Sequence, residues 1–183
     1  MPCLIQPLGI EGLFSIQPKV FGDERGYFLE TYSERDFRAA GLAARFVQDN
    51  QSKSRRGVLR GLHFQKTKPQ GKLVRAISGE VFDVAVDLRS GSPTFGKWEA
   101  VILSGEKQNQ FYVPPGFAHG FVVLSEEAVF AYKCTEFYHP EDEGGIRWDD
   151  PELGIAWPEL GIAPSLSSKD AALPGFEPGK RYF

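Results

Sequence analysis

His63 lies in the run GVLRGLHFQ (57–65), among apolar residues and three positions after Arg60. A free imidazole titrates at about 6.5, so a histidine held in a cavity can take up a proton at neutral pH, and a carboxylate that orients it makes it a better base. Asp170 is one candidate for that carboxylate. The next apolar run, PQGKLVRAISGEVFDVAVD (69–87), carries Lys72 and Arg75. A cavity ammonium such as Lys72 stabilises a developing enolate, an effect worth about 3 kcal/mol per well-placed donor. Tyr132 and Tyr138 sit in AYKCTEFYHP (131–140) at an even spacing that lets them share a strand face. A phenol opposite an imidazole makes an acid and base pair on two faces of one carbon. Each group also has a plain structural role open to it: a satisfied core histidine, a strand-edge lysine, core or rim aromatics.

From Gln51 to Arg75 there are eight Lys or Arg and no Asp or Glu, on a chain of formal net charge -3. These cations alternate with strand-forming residues, so some of them point toward whatever the sheet encloses, and the pattern suggests an anion site. A sequence pI of about 5.7 and the lack of any zinc-finger, helix-turn-helix or RNA-binding signature argue against nucleic acid. A small phosphorylated ligand fits better. Strict alternation puts Arg60 and His63 on opposite faces of the sheet. Both reach one cavity only if Gly61 hosts a bulge or bend.

His119 follows the Pro114-Pro115-Gly116 turn in VPPGFAHGF (113–121), a segment that resembles the second motif of cupin barrels, whose histidine is often a metal ligand. A cupin metal site adds two histidines and a glutamate from the first motif. Residues 65 to 70 are Gln, Lys, Thr, Lys, Pro and Gln, so that set is missing around His63 and no metal is expected. His119 reads either as a substrate hydrogen-bonder or as a structural turn residue. Cys3 and Cys134 form no metal or redox pair motif and imply no disulfide framework.

The elements that must hold these groups are short strands. Fifteen Phe, twenty Gly and thirteen Pro in 183 residues favour strands joined by turns over helices. Strands are predicted near 12–17, 45–51, 57–65, 70–78, 80–87, 97–103, 110–113, 119–125 and 127–135, which together read as an all-β sandwich or barrel. Turn chemistry marks 22–26. Ser33, with Asp36 three residues on and Gly41 at the far end, brackets a helix over 34–40. A second short helix is predicted over 168–172, in a tail with Trp148 and Trp157 that is expected to pack on the barrel. The length suits one domain over 1–183. No window approaches a membrane span, Met1 to Ile10 lacks a secretory pattern, and a cytoplasmic protein without membrane partners is the expectation.

From Phe21 to Leu173 the chain resembles the dTDP-4-dehydrorhamnose 3,5-epimerase family. The resemblance is carried by FGDERGYFLE (21–30), FVQDNQSKS (46–54), VLRGLHFQ (58–65), PQGKLVRAISGEVFDVAVDLRSGSPTFGKW (69–98), YVPPGFAHGF (112–121), YKCTEFYHPEDEGGIRWDDP (132–151) and LSSKDAALP (166–174). It implies a cupin-type, double-stranded β-helix or jelly-roll barrel with a few short peripheral helices. It also implies a homodimer with a swapped N-terminal strand, and a dTDP-linked 4-keto-6-deoxyhexose as substrate. Residue by residue, His63 matches the family's base, Asp170 its carboxylate partner, Tyr132 the proton donor and Lys72 the cation beside the keto oxygen. Arg25, Glu30, Gln48, Asp49, Asn50, Arg60, His119, Glu143 and Lys169 match positions that hold nucleotide or sugar. Tyr138 matches the aromatic that stacks on thymine, and Phe21 and Phe28 line the same nucleotide pocket by analogy.

The chemistry agrees with this resemblance. A C4 ketone acidifies the hydrogens on both neighbouring carbons, so one base and one cation can act at C3 and then at C5, and proton return from the opposite face inverts each centre. The reaction involves no redox change, so no cofactor is expected, and the chain has no dinucleotide glycine fingerprint. Double epimerisation is the favoured outcome. Inversion at one centre only, or movement of the keto group, is the alternative.

Overall fold

A computed structural model describes residues 3–183 of the chain. The expected domain over 1–183 also includes Met1 and Pro2, which lie outside the described residues. Strands β1 (Leu4–Pro7) and β2 (Phe14–Gln17) precede a hairpin of β3 (Val20–Asp23) and β4 (Gly26–Leu29), and helix α1 (Glu34–Ala39) follows. Then come β5 (Gln48–Arg55), β6 (Leu59–Gln65), β7 (Lys72–Ser78), β8 (Glu80–Asp87), β9 (Trp98–Ser104), β10 (Gln110–Val113), β11 (Phe117–Val123) and β12 (Glu127–Cys134). A 3-10 turn at Pro140–Asp142, strand β13 (Glu143–Gly145) and helix α2 (Ser168–Ala171) complete the described elements.

Two antiparallel sheets pack face to face, in the orders β1-β2-β10-β7-β12-β5 and β13-β6-β11-β8-β9, while among the described residues β3 and β4 pair only with each other. This is the cupin-type jelly roll expected from the sequence. Alternation along each strand sorts side chains between the lumen and the outer faces. Val74, Ala76, Phe111 and Phe130 of one sheet meet Val81, Ala85, Phe117 and Phe121 of the other in the lumen. The opposite parity of β8, Val84 and Val86, faces outward with Leu62 and Phe64 and is covered by Leu153, Trp157 and Phe176 of the tail. The near-continuous apolar run of β8 is thus a strand buried on both sides. On the outer face of the other sheet, Phe37 of α1 covers Ile16, Leu73 and Tyr112. Ser33 caps that helix by accepting the Asp36 amide, and Gly41 ends it at φ +87°.

The strand predicted over 45–51 begins later and runs to Arg55, because its polar residues alternate against β12 rather than ending at a turn. The hairpin β3–β4 replaces an expected simple turn. Strand β13 is only three residues, two of them glycine, and carries no apolar pattern by which it could be read.

Candidate active site

A cleft of about 230 Å³ opens into the lumen, lined by His63, Lys72, Tyr132, Tyr138 and Glu143 together with Gln48, Asn50 and Gln70. His63 projects from one sheet, and Lys72 and Tyr132 from the other, so base, cation and phenol face a common space. For His63 this depends on a bulge in β6. His63 lies opposite His119 on β11, and Arg60 lies opposite Phe121, so three steps on β6 match two on β11. The extra residue brings Arg60 and His63 to the same face, as the Gly61 reading required. Gly61 holds φ +110°, and a Cβ there would lie 2.6 Å from the Gly120 Cα and the His119 carbonyl oxygen. Only glycine fits.

His63 Nε2 lies 2.5 Å from Asp170 Oδ1. An ionised carboxylate only accepts, so Nε2 carries the proton in neutral His63 and Nδ1 is the free basic atom. The tail brings Asp170 into place: Leu59 N–H donates to the Ser165 carbonyl and Ser165 N–H to the Gly57 carbonyl, which clamps the segment before α2 against β6. Ser167 caps α2 by accepting the Asp170 amide, and its hydroxyl donates to Asp170 Oδ2 at 2.8 Å. Burial would raise the Asp170 carboxyl, but hydrogen bonds from His63 and Ser167 outweigh it and hold the group below its ordinary range. The carboxylate therefore stays ionised behind a half-buried imidazole.

Lys72 is half-buried, and burial lowers its ammonium from the ordinary lysine value, opposed by Cys134, Asp83 and Glu143. Burial raises the Tyr132 phenol, so it keeps its proton at neutral pH, while Arg60 acts in the other direction. Arg60 itself donates to Ser54 Oγ at 3.0 Å. At the rim, Glu143 Oε2 accepts from the Tyr138 hydroxyl at 2.8 Å and pairs with Lys169. Burial opposes the Glu143 charge, and these two partners restore it, leaving the carboxyl below its ordinary range. Gln48 Oε1 accepts the Tyr138 amide, and Gln65, which sequence reasoning missed, holds the same loop through the Phe137 carbonyl and the His139 amide. Tyr138 is thereby presented with its ring half exposed.

Not every expected residue reaches this cleft. Asp49 alternates with Gln48 and Asn50, so its carboxylate faces the other side of the sheet and pairs with Lys133 at 3.0 Å. His119 lies behind the cleft, buried, with Nε2 2.8 Å from Asp83 Oδ1. The sequence reading passed over Asp83, although a carboxylate inside the apolar run EVFDVAVD was a visible signal. Phe21, Arg25, Phe28 and Glu30 lie on or beside the β3–β4 hairpin and do not line the cleft of their own chain. Arg25 pairs with Asp23 there. Among the described residues no group of three or more His, Cys, Asp or Glu is placed to hold a metal ion, and no helix is long and apolar enough to cross a membrane.

A jelly roll whose lumen presents a carboxylate-backed imidazole, a half-buried lysine and a protonated phenol is an acid–base catalyst of the cupin class, suited to moving protons beside a carbonyl. Residues 7–178 match the family model of dTDP-4-dehydrorhamnose 3,5-epimerase, and the chain belongs to that family of isomerases. It is 61% identical over 149 residues to a dTDP-4-dehydrorhamnose 3,5-epimerase of Methanothermobacter thermautotrophicus, covering 81% of this chain and 80% of the relative. A dTDP-6-deoxy-D-glucose-3,5-epimerase of Legionella pneumophila, solved in complex with dTDP-4-keto-L-rhamnose, superposes with a TM-score of 0.90 at 53% identity over 96% of this chain and 100% of that one. A 3'-monoepimerase of Streptomyces bikiniensis, solved with dTDP-quinovose, superposes with a TM-score of 0.86 at 38% identity over 92% and 86% of the two chains.

Proposed function

We propose that this isomerase converts dTDP-4-dehydro-6-deoxy-D-glucose into dTDP-4-dehydro-L-rhamnose by inverting C3 and C5 in turn. His63 Nδ1 takes the proton next to the C4 ketone, and the resulting imidazolium is stabilised by Asp170. Lys72 meets the charge that develops on the keto oxygen. Tyr132 returns a proton from the opposite face, and Arg60 favours the phenolate left behind. The observation that carries this reading is the placement of His63 with Asp170 on one wall of the cleft and Lys72 with Tyr132 on the other.

The nucleotide lies along the rim, with thymine on the Tyr138 ring and the pyrophosphate near Lys169. The protein works as one domain and as a cytoplasmic homodimer in which the β3–β4 hairpin of each subunit supplies Phe21, Arg25, Phe28 and Glu30 to its partner's nucleotide pocket. The exposure of that hairpin supports this arrangement: Tyr27 and Phe28 are 60% and 64% exposed, and neither strand pairs with the body of the chain.

Incubation with dTDP-4-keto-6-deoxyglucose in heavy water, followed by NMR, tests the reaction. Deuterium is expected at both C3 and C5 of the product. The likeness to a 3'-monoepimerase supports a second reading, inversion at one centre, which label at C3 alone would establish. No label at either carbon rejects epimerisation.

A further inference from the structure

The lumen holds a second imidazole–carboxylate pair that the proposed proton transfers do not use. Asp83 on β8 has no solvent exposure and sits on the lumen-facing parity between Val81 and Ala85. Its Oδ1 lies 2.8 Å from His119 Nε2, and its Oδ2 accepts no hydrogen bond among the described residues. A buried carboxylate oxygen left unpaired in an apolar barrel is costly, and such a group in a native fold calls for a compensating charge. The nearby cation is Lys72. It lines one narrow recess together with His119, behind the cleft, and Lys72 and Asp83 each act electrostatically on the other.

We propose that Asp83 is the positioning residue of the enolate-stabilising group: its carboxylate holds His119 by Nε2 and supplies the negative charge that keeps Lys72 an ammonium inside the lumen. This deepens the epimerase reading and rests on it for the role of Lys72. The groups facing Lys72 are Cys134 and Tyr132 from β12, Glu143 from β13, His119 from β11 and His63 from β6. The Cys134 thiol is itself raised by burial and is neutral at pH 7, so it supplies no charge. Glu143 is already shared between Lys169 and Tyr138. Asp83 is the carboxylate left to balance the lysine. Burial pushes Asp83 up and Lys72 down, toward a pair of neutral groups, while their mutual attraction, with help from His119, pushes the other way. Which tendency prevails is measurable.

Asp83→Asn keeps the shape and an acceptor for His119 while removing the charge. With lysines labelled at 13Cε, the Lys72 titration midpoint in the substrate-free protein is expected to fall by about 1–3 pH units in the variant. An unchanged midpoint overturns the proposal. In turnover, kcat is expected to drop roughly tenfold or more at neutral pH. The alkaline limb of its pH profile should move to lower pH, with the KM for the sugar nucleotide little changed. A profile of unchanged shape would mark Asp83 as merely structural. Independently of whether the variant folds, the 13Cγ resonance of Asp83 in the unsubstituted protein is expected to be that of a carboxylate at pH 7, and a protonated acid there defeats the idea. If the unsubstituted protein shows no exchange at C3 or C5, the reaction reading fails, while the two NMR titrations still decide the role of Asp83.

Discussion

Asp83 and Asp87 leave strand β8 on one face, four residues apart, and neither side chain meets solvent. Their surroundings differ. Asp87 Oδ1 accepts from the Arg89 amide and Nε, and Oδ2 from Arg89 Nη2 and the hydroxyls of Ser92 and Thr94. Burial would raise this carboxyl, but the bonds from Arg89, Ser92 and Thr94 outweigh it and hold it at about 2. Asp83 has one imidazole and an open oxygen, and burial raises it. A carboxylate whose lone pairs are all used by neighbouring loop residues serves the fold, because its charge has nothing left to act on. A carboxylate left half-satisfied beside an imidazole, with a lysine in electrostatic reach, retains a field that can act on both. The barrel uses the same residue type for both tasks and separates them by the number of donors supplied.

If that division is sound, substitutions at groups that touch substrate alter turnover without loosening the fold, and substitutions at satisfied groups do the reverse. The largest effect is expected at His63. His63→Ala removes the base, and kcat should fall by about 100- to 10,000-fold, with exchange lost at both carbons. The melting temperature and dTDP binding should hold, because the imidazole is half-buried and among the described residues is bonded only to Asp170. Retained exchange would mean that another group is the base. Asp87→Asn tests the other side of the comparison. The Asp87 carboxyl is depressed from 3.8 to about 2 in the folded protein, so its contribution is fully present above pH 4 and is lost as pH falls through 2. The variant should be less stable by up to about 2 kcal/mol at pH 7 by denaturant titration, with the gap closing between pH 4 and pH 2 and kcat unaltered. A gap that persists at pH 2 would assign the loss to packing rather than charge.

The sequence carried the strands well where side chains were β-branched or aromatic: the bounds of β8 and β10 coincide with those read from the residues, because turn residues flank both. It was weaker at β5, whose QDNQSKSR has no apolar face to detect. The alignment of Arg60 with His63 was legible as a condition on Gly61, and the register shift satisfies it. Parity along β5 separates Asp49 from Gln48 and Asn50, a distinction that motif matching alone does not make. Other features needed the folded chain. The approach of Asp170 to His63 depends on the tail pairing at Val58 and Ser165, which no local pattern announces. The hairpin residues Phe21 and Phe28 carry a matched motif yet stand clear of the cleft of their own chain, because β3 and β4 form a separate two-stranded sheet.

The smallest predicted effect falls on Tyr138, which combines both kinds of role in one side chain. Its hydroxyl donates to Glu143 and its amide to Gln48, so the residue is held as firmly as a structural group, while it stays 51% exposed at the rim. An aromatic pinned at its edges with its face open is arranged for stacking, since fixing the ring in advance lowers the entropy lost when a base settles on it. Stacking of a base on an aromatic is worth about 1–3 kcal/mol. Tyr138→Ala should therefore weaken dTDP binding by calorimetry about tenfold and raise KM to match, with kcat at saturating substrate nearly unchanged. Tyr138→Phe keeps the ring and loses only the Glu143 bond, so its loss should be smaller. Equal losses in the two variants would show that the hydroxyl bond to Glu143, rather than the ring face, holds the nucleotide, and would move Tyr138 to the structural side of the comparison.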